Sequence, residues 1–367
     1  MIYLVLIFFV LHVGFYLLLA YYWSLVPLIS KTSEGPSLSV IVPVRNEEKV
    51  IEKVLASLEY QEYDKNKYEV IIINDFSEDE TLNIIKECEN KLSMHLKVVT
   101  LSDSNESGKK QALTKGVEIA KNDFILTTDA DCQMGPKWLS SYAACIEGKK
   151  MVAGPVALKG QGFWASLQQA EFSGLIGFGA VTLFHNNPGM CSGANLAFSK
   201  EAFFEVGGYT DNFQIPSGDD EFLLFNISKR YPGQAVFLKN SKALVITSVH
   251  KTLRGFMNQR IRWISKWKHN KNPNLRLAAV LFFLDHLVWL IAIVYTIAGG
   301  FHWIFLSFLF VTKWLSTVIY ISPIHTFLNL RSPVLSLLVI QIIYPFHILI
   351  MGVNSIFGSY TWKGRKY

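Results

Sequence analysis

The chain contains four long apolar runs, one near its start and three near its end. Each run carries at most one Asp, Glu, Lys or Arg, and they are Ile2 to Trp23, Leu277 to Gly299, Trp303 to Ser322 and Val334 to Val353. Each approaches the roughly 20 residues with which a helix crosses the hydrocarbon core of a bilayer. The pattern therefore predicts an N-terminal transmembrane anchor at residues 1–30 and a C-terminal transmembrane region at residues 275–355.

The first run is expected to stay in the mature protein as an anchor rather than to be cleaved as a signal peptide, because it has no basic start and no small-residue cleavage site. The number of C-terminal crossings stays open. Three crossings after a cytoplasmic middle domain would export the basic tail at residues 356–367, against the tendency of basic residues to stay inside. The run that contains Lys313 or the run that contains Pro345 is therefore a candidate for a re-entrant or interfacial segment.

Between the apolar ends, short β-rich runs alternate with segments of helical spacing. Strands are predicted at Ser39 to Val44 and Tyr68 to Ile73, both buried, and at Leu96 to Leu101 and Phe124 to Thr128. This alternation predicts an α/β fold, with a Rossmann-like, mostly parallel sheet, over residues 36–250. Ligands bind beyond the carboxyl ends of such strands. Asp75 and Asp129 each follow a strand, so we expect them to meet in one crevice.

Charge and cysteine usage narrow the class of protein. The net charge of the 367 residues is +6, and basic residues crowd between Lys251 and Arg276. We interpret residues 251–272 as an interfacial amphipathic helix on the cytoplasmic face, in contact with membrane lipids. Nucleic-acid binding is rejected, because the basic patch leads straight into an apolar run.

The four cysteines form no CxxC pair, which indicates a reducing compartment and no zinc site.

The acids after the strands indicate a site for a charged ligand. Asp129 and Asp131 stand at alternate positions, a spacing that lets both carboxylates reach one Mg²⁺ or Mn²⁺ ion. Such an ion would neutralise a departing diphosphate. Asp75 is a candidate to accept hydrogen bonds from a base or ribose, or else it is a turn-forming acid.

Two further motifs carry candidate roles. Gly218 precedes three acids, of which Asp220 is the candidate general base, whereas its neighbours could serve as helix-capping acids. Gln259, Arg262 and Trp263 share one helical face. On that face Arg262 could bind diphosphate and Trp263 could stack under a sugar ring. The alternative is that the segment is only an aromatic and basic anchor at the membrane surface.

Taken in order, these segments resemble the membrane-bound members of glycosyltransferase family 2, which have the GT-A fold. The resemblance extends from about Ser39 to the Gln-x-x-Arg-Trp motif. It implies a set of donor-binding residues, namely Pro43, Asn46, Glu47, Asp75, Lys109, Asp129, Gln259, Arg262 and Trp263. It also implies metal ligation by Asp129 and Asp131 and catalysis by Asp220.

On the acceptor side the resemblance implies Gly193, Asn195 and again Trp263. The expected reaction is inverting, metal-dependent transfer of a hexose or N-acetylhexosamine from a nucleotide-diphosphate sugar, with UDP as the expected nucleotide. The expected acceptor is a lipid or lipid-linked glycan at the cytoplasmic membrane face. A small processive polysaccharide synthase is the alternative within the class. A catalytically silent membrane protein that binds nucleotide or lipid is the alternative outside it.

Overall fold

The computed structural model describes residues 1–102, 107–210, 213, 215, 217–266, 270, 272–357, 361–362 and 365–366. The chain forms two compact units. The sheet unit comprises Val26–Lys159 and Thr182–Ser248, and the apolar unit comprises Met1–Leu25, Gly160–Val181 and Val249–Tyr367. The chain therefore enters the sheet unit twice.

The sheet unit is built on a mixed, mostly parallel sheet. Its strands are β1 (Leu38–Val44), β2 (Tyr68–Asn74), β3 (His95–Thr100), β4 (Phe124–Thr127), β5 (Gln133–Met134), β6 (Met151–Ala153), β7 (Val156–Lys159), β8 (Leu196–Ser199), β9 (Ala235–Phe237) and β10 (Val245–Ser248). The larger sheet has the order β3-β2-β1-β4-β8-β6-β9 and the smaller has the order β5-β10-β7. Strands β1 to β4 are parallel to one another, whereas β8 runs antiparallel to β4 and β6. The predicted α/β class is confirmed.

Helices flank these strands. In this unit they are α2 (Ile51–Glu59), α3 (Thr81–Glu89), α4 (Lys109–Ile119), α5 (Trp138–Ala143), α7 (Lys200–Glu205) and α8 (Asp219–Arg230). Strands β1 and β2 are almost wholly buried, which is why their sequences are mostly apolar; the buried polar pair within them is joined by a hydrogen bond from Ser39 to Glu69. Pro43 lacks an N–H but is tolerated in central β1, because β4 pairs only with Leu38 to Ile41.

The apolar unit consists mainly of helices. They are α1 (Ile2–Leu25), α6 (Phe163–Phe184, whose last turn belongs to the sheet unit), α9 (Leu253–Ser265), α10 (Pro273–Ile297), α11 (Trp303–Phe327) and α12 (Val334–Phe357). Two short strands follow, β11 (Thr361–Trp362) and β12 (Arg365–Lys366). Among the described residues, four helices are long and apolar enough to cross a membrane, namely α1, α10, α11 and α12 up to Asn354. Neither Lys313 nor Pro345 interrupts its helix.

Residues 160–181 belong to the apolar unit, whereas the sequence analysis placed them within the domain at 36–250. Two glycines explain this difference. A Cβ at Gly177 would overlap the side chain of Ile324, and Tyr320 donates a 2.9 Å hydrogen bond to the Gly174 carbonyl. Helix α6 therefore packs closely against α11 through its small residues.

A buried ion pair joins three of the membrane-length helices. Lys313 Nζ lies 2.9 Å from Asp285 Oδ1, and His12 Nδ1 lies 2.8 Å from Asp285 Oδ2. All three side chains are less than one tenth exposed. The two charged residues that mark the apolar runs thus pair with each other, which satisfies charges that an apolar surrounding would otherwise penalise.

Candidate active site

Three parallel strands of the sheet unit end at the same edge of the sheet. Strand β1 pairs with β2 through Val44 and Asn74, and with β4 through Ile41 and Thr127. The residues that follow these strands, including Asp75 and Asp129, therefore emerge on one side. This is the edge at which open parallel sheets bind ligands.

Asp75 is buried, with 5% of its surface exposed. Its Oδ1 accepts a 3.1 Å hydrogen bond from the Gly108 amide, the N-cap position of α4. Arg45 Nη1 donates to the Asp75 carbonyl at 2.9 Å. The carboxylate thus holds the start of α4 rather than capping α3, the helix that follows it in the chain.

The loop after β1 is fixed by bonds to the loop after β2. The Glu78 amide donates to Asn46 Oδ1 at 2.8 Å, and the Glu47 amide donates to Thr81 Oγ1 at 2.8 Å. Asn46 has a φ of 53°, in the left-handed region that asparagine tolerates better than most residues. These hydrogen bonds hold the two loops against each other.

Lys109 lies between two acids. Its Nζ is 2.7 Å from Asp129 Oδ1 and 3.5 Å from Asp219 Oδ2. Burial alone would lower the pKa of Lys109, but the charges of Asp129 and Asp219 raise it above its ordinary value. The lysine is therefore a fixed cation among carboxylates, a charge suited to an anionic ligand.

Helix α8 presents the acidic motif from its first turn. Asp220 Oδ2 accepts a 3.0 Å hydrogen bond from the Gly193 amide, and Asp220 Oδ1 accepts one of 2.8 Å from the Glu221 amide. A Cβ at Gly193 would stand 3.1 Å from Asp219 Oδ2, tighter than most real contacts. The small residue thus allows the acids to approach the loop closely. Counting the hydrogen bonds from the described residues, one lone pair on each Asp220 oxygen is left for a proton.

The Asn195 side chain is completely buried and fully bonded. Its Oδ1 accepts from Trp138 Nε1 and the Tyr142 hydroxyl, and its Nδ2 donates to the carbonyls of Pro155 and Ala243. These four bonds use the whole capacity of an amide side chain. The predicted acceptor contact of Asn195 is thus not available to its side chain, which instead anchors the loop that carries Gly193.

Asp131 is exposed, and its Oδ2 accepts a 3.1 Å hydrogen bond from Thr247 Oγ1. Within the described part of the chain, no three His, Cys, Asp or Glu residues are grouped to hold a metal ion. Two carboxylates are nevertheless enough for Mg²⁺ or Mn²⁺ when substrate phosphates and water complete the shell. The donor set of Asp129 and Asp131 therefore fits a metal that binds together with its substrate.

The Gln-x-x-Arg-Trp motif lies on α9 of the apolar unit. Gln259 and Trp263 both contact Arg260, a residue that the sequence analysis did not select: Arg260 Nη1 donates to Gln259 Oε1 at 2.6 Å, and its guanidinium lies 4.3 Å from the Trp263 ring. Arg262 is half-buried. Arg260 also pairs with Glu171, the sole charged residue of α6. An isolated acid in an apolar helix indicates that a basic partner lies nearby, so Glu171 was the sequence signal that could have pointed to Arg260.

Comparison with known proteins decides the family. The model described as Glycosyl transferase family 2 matches residues 39–207, and the model described as Glycosyl transferase family group 2 matches residues 124–352, more than half of the chain. The chain belongs to glycosyltransferase family 2. The predicted family and enzyme class are thereby confirmed.

Individual relatives cover parts of this glycosyltransferase. It is 37% identical over 109 residues to poly(ribitol-phosphate) beta-N-acetylglucosaminyltransferase TarS of Staphylococcus aureus, covering 30% of this chain and 18% of that protein. It is 29% identical over 180 residues to beta-monoglucosyldiacylglycerol synthase of Trichormus variabilis, covering 48% of this chain and 38% of that protein. The matched region thus spans well under half the length of these relatives.

Among solved structures, mannosyltransferase PcManGT from Pyrobaculum calidifontis, in complex with GDP-Man and Mn²⁺, has a similar fold. The TM-score is 0.61 at 18% identity, and the match covers 92% of this chain and 98% of that one. The likeness supports the GT-A fold with membrane helices for the glycosyltransferase described here.

Proposed function

We propose that this enzyme is an inverting transferase that moves a sugar from a nucleotide-diphosphate sugar to a hydroxyl of a lipid or lipid-linked glycan at the cytoplasmic membrane face. The observation that carries the proposal is the grouping of Asp129, Asp219 and Asp220 around Lys109 and Gly193, next to the carboxyl ends of the strands. Such a grouping supplies both a cation for a diphosphate and a base for a hydroxyl.

At the donor end, each residue has a chemical task. Asp75 accepts hydrogen bonds from the nucleoside, beside the loop of Asn46 and Glu47. Lys109 faces the diphosphate. Asp129 and Asp131 hold a divalent ion, which when bound offsets the charge of the leaving diphosphate. UDP is the nucleotide that the family resemblance favours, and GDP is the competing one, since the mannosyltransferase of similar fold binds GDP-Man.

At the acceptor end, Asp220 is the general base. It takes the proton of the acceptor hydroxyl as the oxygen attacks the anomeric carbon, and the bond from that carbon to the diphosphate breaks on the opposite face. The Gly193 amide orients the Asp220 carboxylate through its 3.0 Å hydrogen bond. The transition state has oxocarbenium character, as in other glycosyl transfers.

The membrane-length helices support a lipid or lipid-linked acceptor. One relative is named for synthesis of a glucosylated diacylglycerol, which is the same chemical class. Gln259, Arg262 and Trp263 take the roles that the resemblance implies, with Gln259 and Arg262 on the donor and Trp263 under a sugar ring. The basic residues before α10 favour a cytoplasmic face for this part of the chain.

A donor screen tests the proposal. The full chain is reconstituted in lipid vesicles with Mn²⁺ or Mg²⁺, and release of nucleoside diphosphate is followed for UDP- and GDP-linked hexoses and N-acetylhexosamines, with diacylglycerol or a lipid-linked glycan as acceptor. We expect release with one donor class and a product that gains one sugar by mass spectrometry. A ladder of long products would favour a processive synthase, and no release with any donor would contradict the proposal.

A further inference from the structure

A buried ion pair in the apolar unit has no part in the mechanism proposed so far. Arg260 Nε lies 3.0 Å from Glu171 Oε1 and Arg260 Nη2 lies 2.6 Å from Glu171 Oε2, a bidentate arrangement. The two side chains are only 5% and 7% exposed. Burial alone would raise the pKa of Glu171, but the charge of Arg260 holds the pKa below its ordinary value, so the carboxylate stays ionised. A buried pair is a weak source of net stability, because desolvation offsets much of its attraction.

The guanidinium of Arg260 also contacts two residues of the family motif, Gln259 and Trp263. Arg260 Nη1 donates a 2.6 Å hydrogen bond to Gln259 Oε1. Because arginine carries donors only, this bond fixes the amide with its oxygen toward Arg260 and its NH₂ group turned away. A turned-out NH₂ is a donor suited to a phosphate or sugar oxygen.

The other contact is with Trp263. The guanidinium carbon lies 4.3 Å from the Trp263 ring and 4.5 Å from the Phe256 ring, so the cation is held between two aromatic faces. Phe172 packs on Trp263 at 6.0 Å between ring centroids. Helix α6 thus holds the indole from one side with Phe172 and holds the stacked arginine with Glu171. A planar cation over an aromatic ring restricts the orientation of the ring.

We propose that Glu171 and Arg260 are positioning residues for sugar transfer, which fix the Gln259 amide and the Trp263 indole in the orientations that the reaction uses. The inference rests on the proposed function, because it takes the roles of Gln259 and Trp263 from there. Tyr344 steadies the pair by donating to Glu171 Oε1 at 3.2 Å.

The test compares turnover with stability in vesicles that contain the full chain. Glu171→Gln and Arg260→Lys should each lower kcat by about 10-fold or more, since small misplacements of positioning groups are costly. In Arg260→Lys the positive charge remains, but the planar guanidinium is lost, and with it the paired donors to Glu171 and the flat surface that stacks on the aromatic rings. Glu201→Gln is the matched control, because it breaks the exposed pair with Lys150 in the sheet unit and should leave turnover unchanged.

The decisive variant is the double substitution Glu171→Gln/Arg260→Met. Removing both charges leaves no buried ion unpaired, so the thermal midpoint should return toward that of the wild type even if either single variant folds poorly. Turnover should stay low, because nothing then orients Gln259. Recovery of turnover together with stability would show that the pair is only structural and would overturn the inference.

A double-mutant cycle with Gln259→Ala completes the test. If Glu171 acts through Gln259, Glu171→Gln should cost less than about 2-fold in that background, whereas independent effects would add in full. Full additivity overturns the inference. If Gln259→Ala and Trp263→Ala are as active as the wild type, the error lies in the proposed function. If they are impaired and Glu171→Gln is not, the error lies in the positioning role.

Discussion

The ammonium group of Lys109 lies 2.7 Å from Asp129 Oδ1, the carboxylate to which we assign a divalent ion. The lysine is also 3.5 Å from Asp219 Oδ2. A divalent ion on the same carboxylate would lie close to the ammonium group, so in the absence of substrate the two positive charges would repel each other and compete for Asp129. When a diphosphate enters, it brings enough negative charge for both.

Lys109→Met is therefore expected to have two opposite effects. Affinity of the protein for Mn²⁺ without donor should rise, because a competing cation has been removed, and it can be measured by titration with electron paramagnetic resonance. Turnover should fall by at least about 10-fold, because the diphosphate loses a fixed positive charge. Weaker Mn²⁺ binding in this variant would show that Lys109 supports the metal site instead of competing with it.

Removal of the metal ligands should abolish transfer. Asp129→Ala and Asp131→Ala each take away one of two protein ligands, and the departing diphosphate then carries uncompensated charge. Both residues follow a strand rather than forming part of it, so circular dichroism and expression should match the wild type. Thr247→Val is the control, since it removes only the hydrogen bond to Asp131 and should be mild. Wild-type turnover that persists in excess EDTA would exclude the metal role.

Substitutions of Asp219 and Asp220, two adjacent acids in the first turn of α8, should differ sharply in their effect on turnover. Asp220→Asn keeps the shape and the hydrogen bond from Gly193 but cannot take up a proton, so kcat should fall by about 10²-fold or more with little change in the donor KM. Asp219→Asn should do much less, because Asp219 pairs with Lys109, a cation that Asp129 holds more closely. The reverse order of damage would reassign the base.

The central strands of the sheet unit were predictable because parallel strands that are buried on both faces are mostly apolar. Strand β2 begins at Tyr68 as predicted and ends one residue later, and β4 begins at Phe124 and ends one residue earlier. Asp75 and Asp129 follow from those ends, so their common edge was also predictable. The local sequence pattern was sufficient to predict the position of a residue wherever that position depends on the end of a strand.

Roles that depend on contacts between distant segments could not be read from the sequence. The Asn195 side chain is saturated by residues from 40 to 57 positions away. Lys313 looked like a break in an apolar run, because its partner Asp285 lies in another helix. Glu171 and Arg260 are separated by 89 positions, so the lone acid of α6 gives a signal in the sequence but its partner is identified only when the two helices pack.

Substitutions at Arg262 and Trp263 distinguish a role of α9 in sugar transfer from a role as a membrane anchor alone. Arg262→Lys keeps the charge but loses the planar fork that matches a diphosphate, so it should stay severely impaired. Trp263→Ala should lower activity strongly and should not release protein from the membrane, because the flanking helices remain. Arg254→Lys on the same helix is the control and should be near wild type. Full activity of Arg262→Lys would mean that the segment is only an interfacial anchor.

Asp285 and Lys313 should govern the stability of the membrane helices without touching the chemistry. Asp285→Asn keeps an oxygen for His12 but leaves the Lys313 ammonium buried without its counter-ion, and breaking a buried pair in this way costs about 3–5 kcal/mol. The double variant Asp285→Asn/Lys313→Met removes both charges and should regain most of that loss. Lys115→Gln, which breaks an exposed pair with Glu118, should change stability by less than about 0.5 kcal/mol.

The stability of these variants is measured by thermal unfolding in detergent, and the turnover of the fraction that stays folded is measured as well. Within the described residues, the hydrogen bonds and ion pairs of His12, Asp285 and Lys313 involve no residue assigned to donor or base, so turnover per folded molecule should match the wild type in all three variants. A fall in turnover per folded molecule at unchanged thermal midpoint would instead give this buried pair a direct part in transfer.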